Sequence, residues 1–111
     1  ALVSNKIVSA CEAILRHFGL FSLFKVVLGG DSLQNLKPHP QPVLEAMRRT
    51  GFAPSGTWMI GDHFTDIEAG RAAGARTAFV TYGIGRVDGA TPDRCFEGFD
   101  ELAACFVGAE L

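Results

Sequence analysis

Thr57-Trp58-Met59-Ile60-Gly61-Asp62-His63-Phe64-Thr65-Asp66 is the stretch that decides the fold. Residues 57–60 form a short apolar run of the kind that fills a buried strand. Gly61-Asp62 ends the run. A helix of small residues is predicted over 66–73, with Ala69, Gly70 and Ala73 on one side, and Gly74 stops it. Small residues on that side let a helix lie close on a sheet. A strand that turns tightly into a helix is the repeating unit of a parallel α/β sheet.

The pattern repeats on both sides of this segment. Toward the start, Phe24-Lys25-Val26-Val27-Leu28 reads as another buried strand, broken by Gly29-Gly30-Asp31. Pro42 suits the first turn of a helix carrying Val43, Leu44 and Met47 and closed by Gly51. Ile7, Cys11, Ile14, Leu15 and Phe18 recur at helical spacing and Gly19 stops them, while Ala1-Leu2-Val3 reads as the tail of a strand. Toward the end, residues 76–81 form a fourth strand, 82–93 a glycine-rich loop and 99–106 a final helix. Cys11, Phe79 and Phe99 are expected in the core. This alternation predicts an α/β fold with a doubly wound, Rossmann-like parallel sheet.

Composition narrows the function. The chain has 111 residues, 48% hydrophobic and 20% charged, the mix of one globular domain. Its net charge of −2 argues against a nucleic-acid binder that works by neutralising phosphates. The longest apolar stretch, residues 18–24, is too short to span a bilayer, and no secretory leader is read at the start. Cys11, Cys95 and Cys105 are an odd number without CxxC spacing, as expected of reduced thiols in the cytoplasm.

In a parallel sheet the chemistry lies just beyond the carboxyl ends of the strands. Ser4-Asn5 follows the first strand, and the Ser4 hydroxyl suits either a phosphate oxygen or a helix cap. Lys37 follows the second. It reads either as a solvated charge or as an ammonium aimed by the stiff Pro38-His39-Pro40 segment. After the third strand, Asp62 and Asp66 stand four apart at a strand-to-helix turn. They suit Mg²⁺, which takes one or two carboxylates plus waters and substrate phosphate; alternatively Asp62 caps the helix and Asp66 complements its dipole. His39 and His63 read as pocket rim or as exposed bystanders, and His17 as a cation at a helix end. Hydroxyl, ammonium and carboxylate pair together form a phosphate-plus-metal constellation.

In that order, Ser4 after Leu2-Val3, then Lys37-Pro38, then Gly61-Asp62 and Asp66, the sequence resembles the haloacid dehalogenase-like phosphohydrolases. It is most similar to their phosphoglycolate phosphatase-type branch. The resemblance implies that residues 1–111 are the C-terminal portion of the family's core domain. It implies that Ser4, the Asn5 amide and Lys37 bind the phosphoryl group, with Ser4 and Lys37 acting in catalysis, and that Asp62 and Asp66 hold Mg²⁺. The implied reaction is hydrolysis of a small phosphorylated metabolite through an aspartyl-phosphate. Phosphoglycolate is the expected substrate, with pyrophosphate and sugar phosphates as competitors. The family's first motif, a DxD segment bearing the nucleophile, has no counterpart here, and neither does the cap domain. The chain alone is therefore expected to be inactive, unstable by itself and completed by the missing N-terminal segment of the same fold, from the same or another chain. The alternative is a non-catalytic phosphate- or partner-binding fragment. A receiver-type signalling domain fits poorly, because there the acids precede the hydroxyl and the Lys. Gly29-Gly30 and Gly83-x-Gly85 do not give the GxGxxG of a dinucleotide site.

Overall fold

Every strand runs parallel to its neighbour in the computed structural model, which describes residues 1–107. The end of the expected domain, 108–111, lies outside the described residues. The element order is β1 (Leu2–Val3), α1 (Val8–His17), β2 (Val27–Leu28), α2 (Gln41–Thr50), β3 (Trp58–Gly61), α3 (Phe64–Ala72), β4 (Arg76–Val80), β5 (Arg94–Phe96) and α4 (Phe99–Phe106). Single 3₁₀ turns occupy Phe21–Leu23 and Pro54–Gly56. The predicted alternation of strands and helices is therefore the architecture observed.

The strands form two hydrogen-bonded groups, β1-β2 and β3-β4-β5. Val3 pairs with Leu28 in the first, and Gly61 with Phe79 and Val80 with Phe96 in the second. Alternate residues of β4 serve opposite faces. Ala78 and Val80 pack with Phe96, Leu102 and Phe106 under α4. Thr77 meets Gly70 of α3 on the other face, where a Cβ on Gly70 would lie 2.7 Å from the Thr77 methyl and 2.6 Å from Met59 Cβ. Glycine at position 70 is what lets α3 settle on the sheet. Met59, Val43, Met47, Ala69 and Ala73 fill the space between α2, α3 and β3. Helices on both faces make the sheet doubly wound, as expected.

Several expectations are corrected. The second strand is confined to Val27–Leu28, because its partner β1 offers only two residues to pair with. Helix α3 starts at Phe64, not Asp66, because His63 caps it. Strand β5 carries no signal in the sequence: it is three residues long with Arg94 and Cys95 exposed, so no alternation marks it. Phe99 is 65% exposed and is not core, since α4 turns Leu102 and Phe106 toward Phe96 instead. Cys11 and Phe79 are buried as expected, but on α1 only Cys11 and Leu15 are inside, while Ile7, Ile14 and Phe18 stay exposed.

Between the facing edges of β1 and β3 lies a slot of about 400 Å³. Val3 forms one wall, Trp58 and Met59 the other, and Val43, Ala46 and Met47 of α2 the floor. No hydrogen-bonded strand pair crosses it among the described residues.

Candidate active site

Lys37 ties the carboxyl ends of two strands together. Its ammonium donates to the Val3 carbonyl at the end of β1, at 2.7 Å, and to Asp66 Oδ1 in the first turn of α3, at 2.5 Å. Both residues are buried, Lys37 at 9% exposure and Asp66 at 7%. This excludes the solvated-charge reading of Lys37. An ammonium has three donors, so one proton remains for a further acceptor.

The backbone of Lys37 is held as firmly as its head. The Asn5 side chain donates from Nδ2 to the Lys37 carbonyl at 2.9 Å, and its Oδ1 accepts from the Lys37 N–H at 3.0 Å. This two-way clamp joins the turn after β1 to the loop after β2. Asn5→Ala removes both bonds, so a loss of about 1–3 kcal/mol is expected by urea unfolding. The Ser4 hydroxyl oxygen accepts from the Lys6 N–H at 3.0 Å, which leaves the O–H free to donate. Ser4 closes a turn and does not cap α1. That service falls to Asp31, whose Oδ1 accepts from the Val8 N–H at 2.8 Å.

Asp66 is gripped from both sides. Its Oδ2 accepts from the His63 N–H at 3.2 Å, and the His63 ring Nδ1 accepts from the Thr65 N–H at 3.3 Å. The two residues cap α3 reciprocally. His63 is thus the helix cap and not an exposed bystander, and Asp62 does not cap the helix. Gly61 is obligatory for the same geometry, since a Cβ there would fall 2.0 Å from Asp66 Oδ2. Gly61→Ala is expected to push Asp66 off Lys37 at a cost of about 1–3 kcal/mol; a folded protein of unchanged denaturation midpoint would contradict this.

Asp62 is half-buried, and its Oδ2 accepts from the Ile84 and Gly85 N–H groups. The His39 ring Nδ1 accepts from the Gln41 N–H at 3.0 Å at the start of α2, so His39 is a local structural partner. His17 lies in the last turn of α1 and meets Phe18 edge-on. Of the expected site residues, Ser4, Asn5, Lys37, Asp62 and Asp66 all lie just beyond strand ends, and hydrogen bonds link the Ser4-Asn5 turn, Lys37 and Asp66.

Among the described residues, no group of three or more His, Cys, Asp or Glu side chains gathers as a self-sufficient metal centre, and no helix is long and apolar enough to cross a membrane. Asp66 beside the Lys37 ammonium and Asp62 at the end of β3 still match the small donor share that a protein gives Mg²⁺.

A parallel sheet with a hydroxyl, a buried ammonium and two carboxylates beyond its strand ends is the frame of an α/β domain whose site lies at the carboxyl ends of the strands. Residues 1–80 match the profile of the haloacid dehalogenase-like hydrolases, and the chain belongs to that family. It is 36% identical over 104 residues to the phosphoglycolate phosphatase of Escherichia coli (strain K12), covering 91% of this chain and 41% of that protein. The crystal structure of a predicted phosphoglycolate phosphatase from Haemophilus somnus superposes with a TM-score of 0.86 at 33% identity, over 93% of this chain and 47% of that one. CbbY from Rhodobacter sphaeroides, solved with xylulose-(1,5)bisphosphate, superposes at 0.79 with 25% identity, over 91% and 48%. The chain spans about two fifths of the length of the curated relatives it matches.

Proposed function

We propose that this chain supplies the phosphate- and Mg²⁺-binding half of a phosphomonoesterase, acting on a small phosphorylated metabolite in the cytoplasm. The observation that carries the reading is the Lys37 ammonium, buried, fixed by Val3 and Asp66, and left with one proton to give. The names borne by the Escherichia coli and Haemophilus somnus proteins support phosphoglycolate as the substrate, and the ligand held by CbbY supports a sugar phosphate as the next to try.

In this reading Ser4 donates its free O–H to a phosphoryl oxygen and the Asn5 N–H donates to another. Lys37 places its third proton on the same group, where charge builds as phosphorus is attacked. Asp62 and Asp66 hold the Mg²⁺, which when bound draws charge from the phosphoryl oxygens. The nucleophilic carboxylate comes from a segment seated between β1 and β3. It expels the alcohol and forms an aspartyl-phosphate that water then hydrolyses. The chain without that segment turns nothing over.

The test is phosphate release from phosphoglycolate, pyrophosphate and sugar phosphates, with and without Mg²⁺. It uses the 111-residue chain alone and the polypeptide with its sheet completed. Mg²⁺-dependent release by the second only is expected, and Asp62→Asn abolishes it. Undiminished Mg²⁺-dependent turnover by that variant overturns the assignment. Phosphate binding without turnover in the completed polypeptide favours a non-catalytic binding module.

A further inference from the structure

The loop after β4 directs two neighbouring N–H groups at one side chain. Ile84 and Gly85 donate their N–H groups to Asp62 Oδ2, at 3.1 and 3.3 Å. The Arg86 carbonyl accepts from the Phe64 N–H at 2.6 Å, so the loop is laced along the whole Asp62–Phe64 turn. Two glycines allow this approach. A Cβ on Gly83 would lie 2.3 Å from both Cβ and Oδ2 of Asp62, and one on Gly85 would lie 2.3 Å from the Asp62 carbonyl oxygen. Neither glycine has positive φ, so closeness to Asp62 is what excludes a side chain. The Ile84 side chain is fully exposed, so it adds no burial of its own to hold the loop down.

The consequence is asymmetric. The loop occupies Oδ2, and among the described residues no hydrogen bond reaches Oδ1. We infer that Gly83-Ile84-Gly85 is a positioning loop that locks the Asp62 carboxylate in one rotamer and presents Oδ1 to a divalent cation. The inference rests on the reading that Asp62 holds Mg²⁺, and it assigns work to residues that touch neither cation nor substrate. A carboxylate already fixed by two amides loses little rotamer freedom when it binds a cation, and outer hydrogen-bond partners of metal ligands commonly govern affinity by about 10–100-fold.

The experiment measures Mn²⁺ affinity by electron paramagnetic resonance, and inorganic phosphate affinity without metal, in the polypeptide with its sheet completed. Gly83→Ala and Gly85→Ala are each expected to weaken Mn²⁺ by about 10–100-fold, with phosphate affinity changed less than about twofold, since Ser4 and Lys37 lie outside the loop's contacts. Amide exchange gives a second readout that needs no glycine substitution. Asp62→Ala is expected to speed exchange at Ile84 and Gly85 by at least about tenfold, the measure of the bonds it removes. If Asp62→Ala loses Mn²⁺ while both glycine variants keep unaltered affinity, the positioning loop is wrong and the metal reading stands. If Asp62→Ala keeps Mn²⁺, the metal reading itself fails. If the glycine variants do not fold, unchanged exchange at Ile84 and Gly85 in Asp62→Ala overturns the loop, and accelerated exchange upholds it.

Discussion

Lys37→Met, made in the polypeptide with its sheet completed, is expected to lower phosphomonoester turnover by about 10²–10³-fold and to destabilise the fold by about 3–5 kcal/mol. Methionine keeps an apolar stem of similar reach and removes the ammonium, so the effects report charge more than volume. The two losses have different origins. Turnover falls because the proton aimed at the developing charge is gone. Stability falls because Asp66, 7% exposed, loses the one side-chain cation that pairs with it among the described residues and is left with the His63 N–H to support a buried carboxylate.

Adding Asp66→Asn separates them. The double variant buries no charge at this point, so most of the lost stability is expected to return while turnover does not. Urea unfolding and initial rates measure the two. A double variant as unstable as the single one would show that the ion pair is not what Lys37 supports. A single variant with unaltered rate would remove Lys37 from the reaction. A buried ion pair is also an expensive way to hold two loops together, since apolar residues of similar volume often do as well or better. Its presence at the strand ends therefore argues for chemistry at Lys37 more than for stability.

How far the sequence led depends on the range over which each contact acts. Strand runs, the Pro42 and Gly51 boundaries of α2 and the Gly61-Asp62 turn are local, and each was legible. So were Ser4, Lys37, Asp62 and Asp66 as a set, because a parallel sheet dictates where to look. What was missed acts across long separations. Asn5 clamps Lys37 from 32 residues away, Asp31 serves the Val8 amide from 23, and Asp62 receives the Ile84 amide from 22. None of these has a period or a neighbouring partner to betray it. Gly83 and Gly85 read in the sequence as part of a glycine-rich loop that lacks the GxGxxG of a nucleotide site; their closeness to Asp62 is visible only in the fold. The His63 cap had a faint signal, an acid three residues on, but histidine is not the usual residue for it.

The 111-residue chain alone is expected to unfold without a sharp transition, and the polypeptide that brings a strand into the slot between β1 and β3 to unfold in one cooperative step. The slot of about 400 Å³ has room for roughly a dozen waters. Water can satisfy the facing N–H and C=O groups, so the isolated chain need not pay about 1–3 kcal/mol for each. What water cannot supply is burial. Val3, Trp58 and Met59 are only half-buried along the slot, and full burial of one such side chain is worth about 1.5–3 kcal/mol. Filling the slot with a parallel strand would bury several at once and join the two hydrogen-bonded groups into one sheet, against a total stability of about 5–15 kcal/mol for a domain. Trp58, the single tryptophan, lines the slot, and its ring also meets Phe106 edge-on under α4, with centroids 5.2 Å apart. Its emission is expected to shift to the blue and resist quenching when the strand is present, with a steeper urea transition that tracks the extra buried surface. A cooperative, monomeric transition of the isolated chain, with Trp58 already shielded, would mean that β1 and β3 close on each other and that nothing needs to sit between them.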